Sequence, residues 1–455
     1  MLALAWAVRP PPHAAPLAAT SIASQADRVL IAPVPGMAGE ALRQALAAHH
    51  FDVVPQTGDD AFAVVRVPVG VRVDDLARKI AGSVAVRSIE GDGIVRAMRT
   101  PDDALYASGQ ARYLELIGAP RAWERATGGE VLIAVIDSGI AWDHPDLEGR
   151  IFYNTREAPL SGLDADGNGC VGDIVGCNFV SLTTADPSCG YTLAPPNWLT
   201  NDDEGHGTFV AGLAAAAGNN AIGVTGVAWN ARILPVKVLD CTATGRIADA
   251  AAGIRYAARM GAQVINVSFG ATTDSLVLRE AVEEAQARGS IIVASAGNES
   301  QRAITYPAAY PGVISVAASG RLTAQGIDYR ALATFTNFGG VDVIAPGVNV
   351  LSTIPQAACG NRGWVCLDGP YASASGSSFA TPIVAGAVAL LRSLHPDLSA
   401  AMIRALIFDT RQPGSGASDP GIIDVGAAAE RPVYREPAPG LSRASAGDAK
   451  SAPVD

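Results

Sequence analysis

Glu130-Val131-Leu132-Ile133-Ala134-Val135-Ile136-Asp137-Ser138-Gly139 carries an unbroken apolar run that ends on a carboxylate. Read outward from it, apolar runs and helical stretches take turns. The strands expected are 131–136, 232–239, 264–268, 291–295 and 313–317, and the helices are 207–217, 247–260 and 276–287. Parallel neighbours need crossover connections, so this alternation predicts an α/β fold: a three-layer arrangement with a mainly parallel sheet between helices.

Upstream the pattern changes. Residues 28–99 read as a small α+β unit, with strands at 29–32, 61–67 and 84–89 and helical stretches at 38–49 and 73–80. A Pro- and Asp-containing linker, 100–105, leads into a large domain counted as 101–430. Residues 1–27 are Ala/Pro-rich and read as a leader, a signal peptide truncated or misassigned at its start; residues 431–455 read as a Pro/Ala-rich tail.

The 455 residues are 49% hydrophobic and 17% charged, which excludes a disordered chain. A net charge of −11, with lysine only at 79, 237 and 450, argues against a nucleic-acid partner. The longest apolar run, Ala380–Leu391, contains Thr381 and Pro382 and reads as a core helix, so no membrane span is expected. Six cysteines without a CxxC pair lean towards disulfides and an oxidising compartment, hence secretion, with the periplasm or cell surface as variants of the same address.

Parallel sheets collect functional residues where strands end. Asp137 ends one strand, His206 sits in Gly205-His206-Gly207-Thr208 where a helix begins, and Ser378 lies in Gly376-Ser377-Ser378-Phe379-Ala380-Thr381-Pro382 at the start of another. Pro382 is read here as a first-turn proline, whose missing N–H is no loss. A serine hydroxyl needs a base, and an imidazole acting as that base needs a carboxylate to fix its tautomer. Asp137, His206 and Ser378 supply the three parts, although each alone reads as a turn or cap residue. Asp164-Ala165-Asp166-Gly167-Asn168-Gly169, followed by Asp173, has the alternating oxygen donors and sixth-position glycine of an EF-hand loop; Val175 stands where the bidentate glutamate belongs.

Together the three signatures resemble those of the subtilisin-family serine proteases, and the likeness runs from about Pro101 to Val425. Phe209 departs from a common second histidine, Ser377 from threonine and Trp229 from proline, and none of these removes a catalytic group. The resemblance implies an acyl-enzyme endopeptidase acting on extended polypeptides. In it Asn298 and the Ser378 N–H form the oxyanion site, and Ser268-Phe269-Gly270 and Thr244-Gly245 pair with the substrate backbone. It puts Thr305 at the floor of the first pocket, Glu299 on its rim, and Phe269 with Ile247 in a second, apolar pocket. It implies structural calcium held by Asp146, Gly218, Asn220, Ile222 and Val224, completed by Asp103, and a weaker cation site from Ala308, Tyr310 and Val313 carbonyls with Asp342. Region 28–99 becomes an inhibitory, ferredoxin-like propeptide of a self-processing zymogen, cut near Met98–Thr100. The mature enzyme is expected to be a monomer with its own propeptide as partner. Cys359 and Cys366 share one glycine-containing loop and are expected to pair; likeness to six-cysteine secreted relatives pairs Cys189 with Cys241, leaving Cys170 with Cys177.

Three other readings fit the residues less well. A catalytically silent peptide binder would lack a triad or oxyanion residue, and none is missing. An α/β-hydrolase esterase needs GxSxG with the histidine last, whereas Ala380 replaces the final glycine and His206 precedes Ser378. A calcium-dependent binding module built on 164–173 leaves the triad unexplained.

Overall fold

The computed structural model describes residues 27–55, 61–92, 100–157, 162–181, 185–361, 363–416 and 420–432. The leader before Asp27, the stretch Ile94–Met98 and the tail from residue 433 lie outside them. The chain divides into two compact units, one up to Ala97 and one from Met98.

In the first unit β1 (Arg28–Pro33), α1 (Gly39–Ala48), β2 (Ala63–Arg66), α2 (Val73–Ser83) and β3 (Val86–Gly91) follow one another. β1 lies between β2 and β3, antiparallel to both. Bonds from Arg66 N to Asp52 O and from Val54 N to Val64 O add a further segment outside β2, which makes the split βαβ order of a ferredoxin-like unit. Leu42 and Leu46 of α1, and Val73, Leu76 and Ile80 of α2, recur at helical spacing and bury one face against Val29, Ile31 and Val65.

The second unit begins with α3 (Ala111–Leu116), α4 (Ala119–Trp123), β4 (Leu132–Asp137), β5 (Cys177–Asn178), α5 (His206–Ala215), β6 (Arg232–Lys237), α6 (Ile247–Arg259), β7 (Val264–Val267), α7 (Leu276–Ala287) and β8 (Ile291–Ser295). It continues with β9 (Ile314–Thr323), β10 (Gly326–Leu332), β11 (Val343–Pro346), β12 (Val350–Thr353), β13 (Tyr371–Ala374), α8 (Ser377–Leu394), α9 (Ala400–Asp409) and α10 (Val425–Glu430). The large sheet runs β10-β9-β8-β7-β4-β6-β5, with β11 also on β9; every pairing is parallel except the β9–β10 hairpin.

β4 shows why both faces need helices. Ile133 and Val135 point into a core shared with Phe209 and Val210 of α5 and Ile383 and Val384 of α8. Leu132, Ala134 and Ile136 point into the opposite core, with Ile254 of α6 and Val282 of α7. α8 is long and apolar enough to cross a membrane, yet it is 78% buried inside the fold and is a core helix, as its sequence suggested.

The structure moves several expected boundaries. Asp137 is the last residue of β4, one step beyond the expected end, and α5 starts on His206 itself. The short strand expected at 313–317 is the first half of a hairpin, and β11, β12 and β13 had no counterpart in the reading. Pro382 lies inside α8, not in its first turn. Its missing N–H would have bonded the carbonyl four residues back, which is that of Ser378. The Ser268 hydroxyl supplies the absent donor, at 2.8 Å from Ser378 O.

α5 and β4 approach so closely that a Cβ on Gly207 would lie 2.1 Å from the carbonyl oxygen of Gly139 and 3.1 Å from the Asp137 Cβ. Gly207→Ala should therefore push His206 away from Asp137 and cut kcat/KM about 10²-fold, the usual cost of a misplacement near 1 Å. Steady-state kinetics on a variant with unaltered circular dichroism tests this, and parental kinetics would refute the packing argument.

Candidate active site

Asp137 is fully buried at the carboxyl end of β4. Its Oδ1 accepts from the Ser138 amide at 2.8 Å and lies 2.7 Å from His206 Nδ1. A carboxylate only accepts, so Nδ1 carries the hydrogen and Nε2 is the basic nitrogen of the neutral ring. Burial is the largest influence on this imidazole and lowers its pKa. The charge and hydrogen bond of Asp137, with the charges of Glu204 and Asp202, outweigh burial and hold the pKa above the ordinary imidazole value.

Asp202 fixes the helix that carries the imidazole. Its Oδ1 accepts from Glu204 N, Gly205 N and the Ser138 hydroxyl, and its Oδ2 from Thr208 N and Oγ1. It thus satisfies amides that the first turn of α5 leaves free, and ties that turn to the end of β4. Gly207 N donates to Ser138 Oγ at 2.9 Å, a second tie. Glu204 accepts from His206 N at 2.7 Å, and burial, its largest influence, raises its pKa. Lys237, the β6 partner of Asp137 in register, is almost fully buried and donates to Ser138 O and, at 2.8 Å, to Asp203 Oδ1. Sequence reasoning missed Asp202 and Lys237; the only signal was three acidic residues directly before Gly205-His206.

Ser378 is the second residue of α8, so its N–H is among the four that have no partner inside a helix. The His206 ring stands 5.3 Å from that of Phe379, the next residue, so imidazole and hydroxyl share one end of the sheet. Among the described residues no hydrogen bond closes between His206 and the Ser378 hydroxyl; such bonds are commonly long before substrate binds. Phe209 packs against Phe379 at 4.5 Å and against Trp364 at 5.3 Å, and this aromatic cluster occupies the place where the family often has a second histidine.

Asn298 follows β8 and is oriented by α8. Ser377 N donates to Asn298 Oδ1 at 2.8 Å, while Gly297 N donates to Ser377 Oγ at 3.2 Å. A backbone N–H demands an acceptor, which fixes the amide orientation and leaves Nδ2 as an uncommitted donor beside the start of α8.

Thr244, Gly245, Ile247, Phe269 and Gly270 line one cavity of about 260 Å³, together with Ala250, Leu278 and Tyr306, which the sequence reading had not included. Ser268 lies next to it and holds the Ser378 carbonyl. Thr305 is buried, donates to Ser295 O at 3.0 Å, and abuts Gly270, where a Cβ would lie 2.1 Å from its Oγ1. Glu299 accepts from Asn298 N and Asn337 Nδ2, so its carboxylate is held against the loop that follows β8.

The residues expected to hold calcium near β4 do converge. Asp146 Oδ1 accepts from Asn220 Nδ2 at 2.8 Å and Oδ2 from Val224 N at 2.7 Å, so the Gly218–Val224 loop wraps this carboxylate, with Ile222 N bonded to Asn220 Oδ1. Burial pushes the Asp146 pKa up to about 6 and raises that of Asp103 too. Asp103 Oδ1 is buried without any hydrogen-bond partner among the described residues. Two buried carboxylates, one with an orphan oxygen, fit a hard cation. Asp342, expected in the weaker site with Ala308, Tyr310 and Val313, accepts from Ser315 N and Oγ.

In the acidic loop the structure redraws the expected set. Asn168 and Asp173 are bonded to each other at 2.8 Å, and Asp173 also accepts from Tyr256. Asp164 and Asp166 gather instead with Glu157. The disulfides are Cys170–Cys177, Cys189–Cys241 and Cys359–Cys366, the three expected pairs.

Residues 128–426 match the model of the subtilase family. Thermitase of Thermoactinomyces vulgaris is 37% identical over 70% of this chain and 93% of its own. Subtilisin Savinase of Lederbergia lenta is 37% identical over 63% of this chain and 86% of its own. An extracellular protease of Xanthomonas campestris is 34% identical over 78% of this chain and 61% of its own. A solved protease of Pseudoalteromonas arctica superposes with a TM-score of 0.55 at 28% identity, over 73% of this chain and 99% of that one. With a subtilase match across most of the second unit, and with the acid, imidazole and hydroxyl at the strand and helix ends just described, this chain belongs to the subtilase family and is a serine endopeptidase.

Proposed function

We propose that this enzyme cleaves extended polypeptides through an acyl-enzyme formed on Ser378, and that it is made as a secreted, self-processing zymogen stabilised by calcium. The observation that carries the chemistry is the buried Asp137–His206 bond of 2.7 Å, which leaves Nε2 as the basic nitrogen of a ring that stands 5.3 Å from that of Phe379, the neighbour of Ser378. His206 takes the hydroxyl proton as Ser378 Oγ attacks the scissile carbonyl. The resulting oxyanion is met by Asn298 Nδ2 and the free Ser378 N–H. His206 then returns the proton to the leaving amine, and water, activated by the same nitrogen, releases the acyl group. An extended chain pairs with the backbone of Thr244-Gly245 and Ser268-Gly270, and an apolar side chain enters the cavity of Ile247 and Phe269.

The ferredoxin-like unit supports the inhibitory propeptide reading, and three disulfides support an oxidising destination. Calcium on Asp146, Asn220, Asp103 and the carbonyls of Gly218, Ile222 and Val224 would supply charge compensation only. It would join the segment after β4 to the loop after α5, and so brace Asp137 against His206.

Ser378→Ala should abolish casein hydrolysis, fluorophosphonate labelling and self-maturation without loss of fold, because no core contact depends on that oxygen. Parental hydrolysis by this variant would overturn the assignment. Asn298→Ala should lower kcat by about 10²- to 10³-fold with little change in KM, the usual worth of one oxyanion donor. A fall confined to KM would remove Asn298 from the oxyanion site.

His206 must be neutral to act as a base, and its pKa is raised. Activity should therefore be lost as pH falls through a midpoint above the ordinary imidazole value. Glu204→Gln removes one of the charges that favour the protonated ring, so it should move the acid limb of kcat/KM to lower pH. An unmoved limb would show that Glu204 does not act on the imidazole.

Excess chelator should lower the thermal-inactivation midpoint while leaving the initial rate nearly unchanged. Binding to the folded state alone contributes about 4 kcal/mol at a thousandfold excess of ligand over Kd. An unchanged melting curve, once metal analysis shows calcium gone, would contradict the stabilising role.

A further inference from the structure

We propose that Trp364 is a positioning residue for the reaction: held in the Cys359–Cys366 loop, its indole braces the turn that carries His206 against the turn that carries Ser378. The two turns open different helices, α5 and α8, so their separation must be fixed from outside either helix, to within about 0.5 Å of the productive geometry. Phe209 lies three residues after His206, on the same face of α5, and Phe379 directly follows Ser378. These two rings meet at 4.5 Å, and Phe379 also meets the His206 ring at 5.3 Å. Trp364 closes the group: it stacks on Phe209, with ring centres 5.3 Å apart and 28° between the planes, and stands edge-on to Phe379 at 6.4 Å.

The indole also lies on the residue before the imidazole. Gly205 has φ +121°, and a Cβ there would come within 2.6 Å of Trp364 Nε1. A glycine in this region of backbone space is the joint of the turn most easily bent, and the indole covers it. Phe209, which stands where the family often has a second histidine, gives the indole an apolar face to stack on.

Nothing in the loop itself calls for an inward tryptophan. Its neighbours Val365 and Leu367 are 73% and 63% exposed, whereas Trp364 is partly buried against the core. Bonds from Gly360 N to Trp364 O at 3.0 Å and from Trp364 N to Asn361 O at 2.9 Å fix its backbone, and the Cys359–Cys366 disulfide closes the loop on both sides of it. The loop is anchored on the elements it braces. Before it, the Ser352 and Thr353 hydroxyls of β12 donate to the Phe209 and Thr208 carbonyls of α5; after it, β13 leads into Gly376-Ser377-Ser378. Trp364 does not line the cavity of Ile247 and Phe269, so its loss should act on kcat and not on KM.

The test compares peptide kinetics with the rate at which a small fluorophosphonate labels the enzyme, a reaction that needs His206 and Ser378 aligned but no extended substrate. Trp364→Ala should lower kcat and the labelling rate by the same factor, about ten- to a hundredfold, with KM nearly unchanged. Trp364→Phe, which keeps a ring against Phe209, should recover most of both rates. The Cys359→Ser/Cys366→Ser pair keeps the indole but frees its loop, and should show a smaller loss in the same two rates. If Trp364→Ala does not accumulate as folded enzyme, this pair and Trp364→Leu are read in its place. Parental labelling by a folded variant overturns the proposal. It does so whether the variant has lost only thermal stability, which is packing alone, or shows only a raised KM, which makes the tryptophan a substrate contact. The proposal rests on the triad reading, and the two fail differently: labelling that persists in Ser378→Ala would sink the triad, whereas unchanged rates in the Trp364 variants would sink only the brace.

Discussion

A carboxylate without access to water sets the conditions for the rest of the catalytic unit. Asp137 is buried at the end of a central strand, and such a charge persists only if hydrogen-bonded and matched by a partner. The Ser138 amide and His206 meet one of its oxygens, while the other has no hydrogen-bond partner among the described residues. For the histidine to arrive, α5 must begin against the end of β4. This accounts for a glycine at 207, where a Cβ would strike the Gly139 carbonyl, and for Asp202, which spends both oxygens on the first turn of that helix and on Ser138. The geometry of the pair therefore follows from how one strand end and one helix start can be packed without leaving backbone amides bare.

The nucleophile side has a matching constraint. α8 is a core helix, and its interior proline removes the donor that would have bonded the Ser378 carbonyl. The gap is filled from β7's end by Ser268, which itself accepts from Asn266. On the opposite side Ser377 exchanges bonds with Gly297 and Asn298. Strand ends thus fix the first residues of α8 through specific hydrogen bonds, and one consequence is chemical: the Asn298 amide is turned by the helix it will serve. Packing and preorganisation are the same set of contacts here.

What the sequence disclosed follows from this. Asp137, His206 and Ser378 were legible because each sits at the end of an apolar run or the start of a helix, where periodicity stops and short motifs survive. The parallel sheet was legible from the alternation of those runs. Asp202 and Lys237 were not, because their role exists only once β4, β6 and the loop before α5 are side by side. Pro382 was misread by half a turn of helix: α8 begins at Ser377, so the proline falls inside, and only the structure reveals which carbonyl it orphans. The β9–β10 hairpin was half seen because its outer residues, Arg321 to Thr323, are exposed and lack the apolar signal of the buried half. Glu157 was not read with the Asp164–Gly169 pattern because it lies before it in the chain, and its carboxylate meets Asp164 and Asp166 only in the fold.

The charges around His206 look excessive until each is traced to its partner. Asp202 is committed to four amides or hydroxyls of the α5 turn and to Ser138, so its charge is spread over donors that also orient the helix. Asp203 is paired with Lys237, and Lys237 in turn holds the Ser138 carbonyl. Glu204 accepts from the His206 backbone. Among the described residues, only Asp137 bonds the imidazole ring directly. The arrangement lets one carboxylate set the tautomer while the others set the position of the backbone, and their combined field outweighs the burial that would otherwise hold the ring neutral to lower pH. A base built this way is stronger than a free imidazole, and it yields its protonated form less readily as pH rises. The acidic run before His206 thus trades activity at low pH for a firmer hold on the proton during attack.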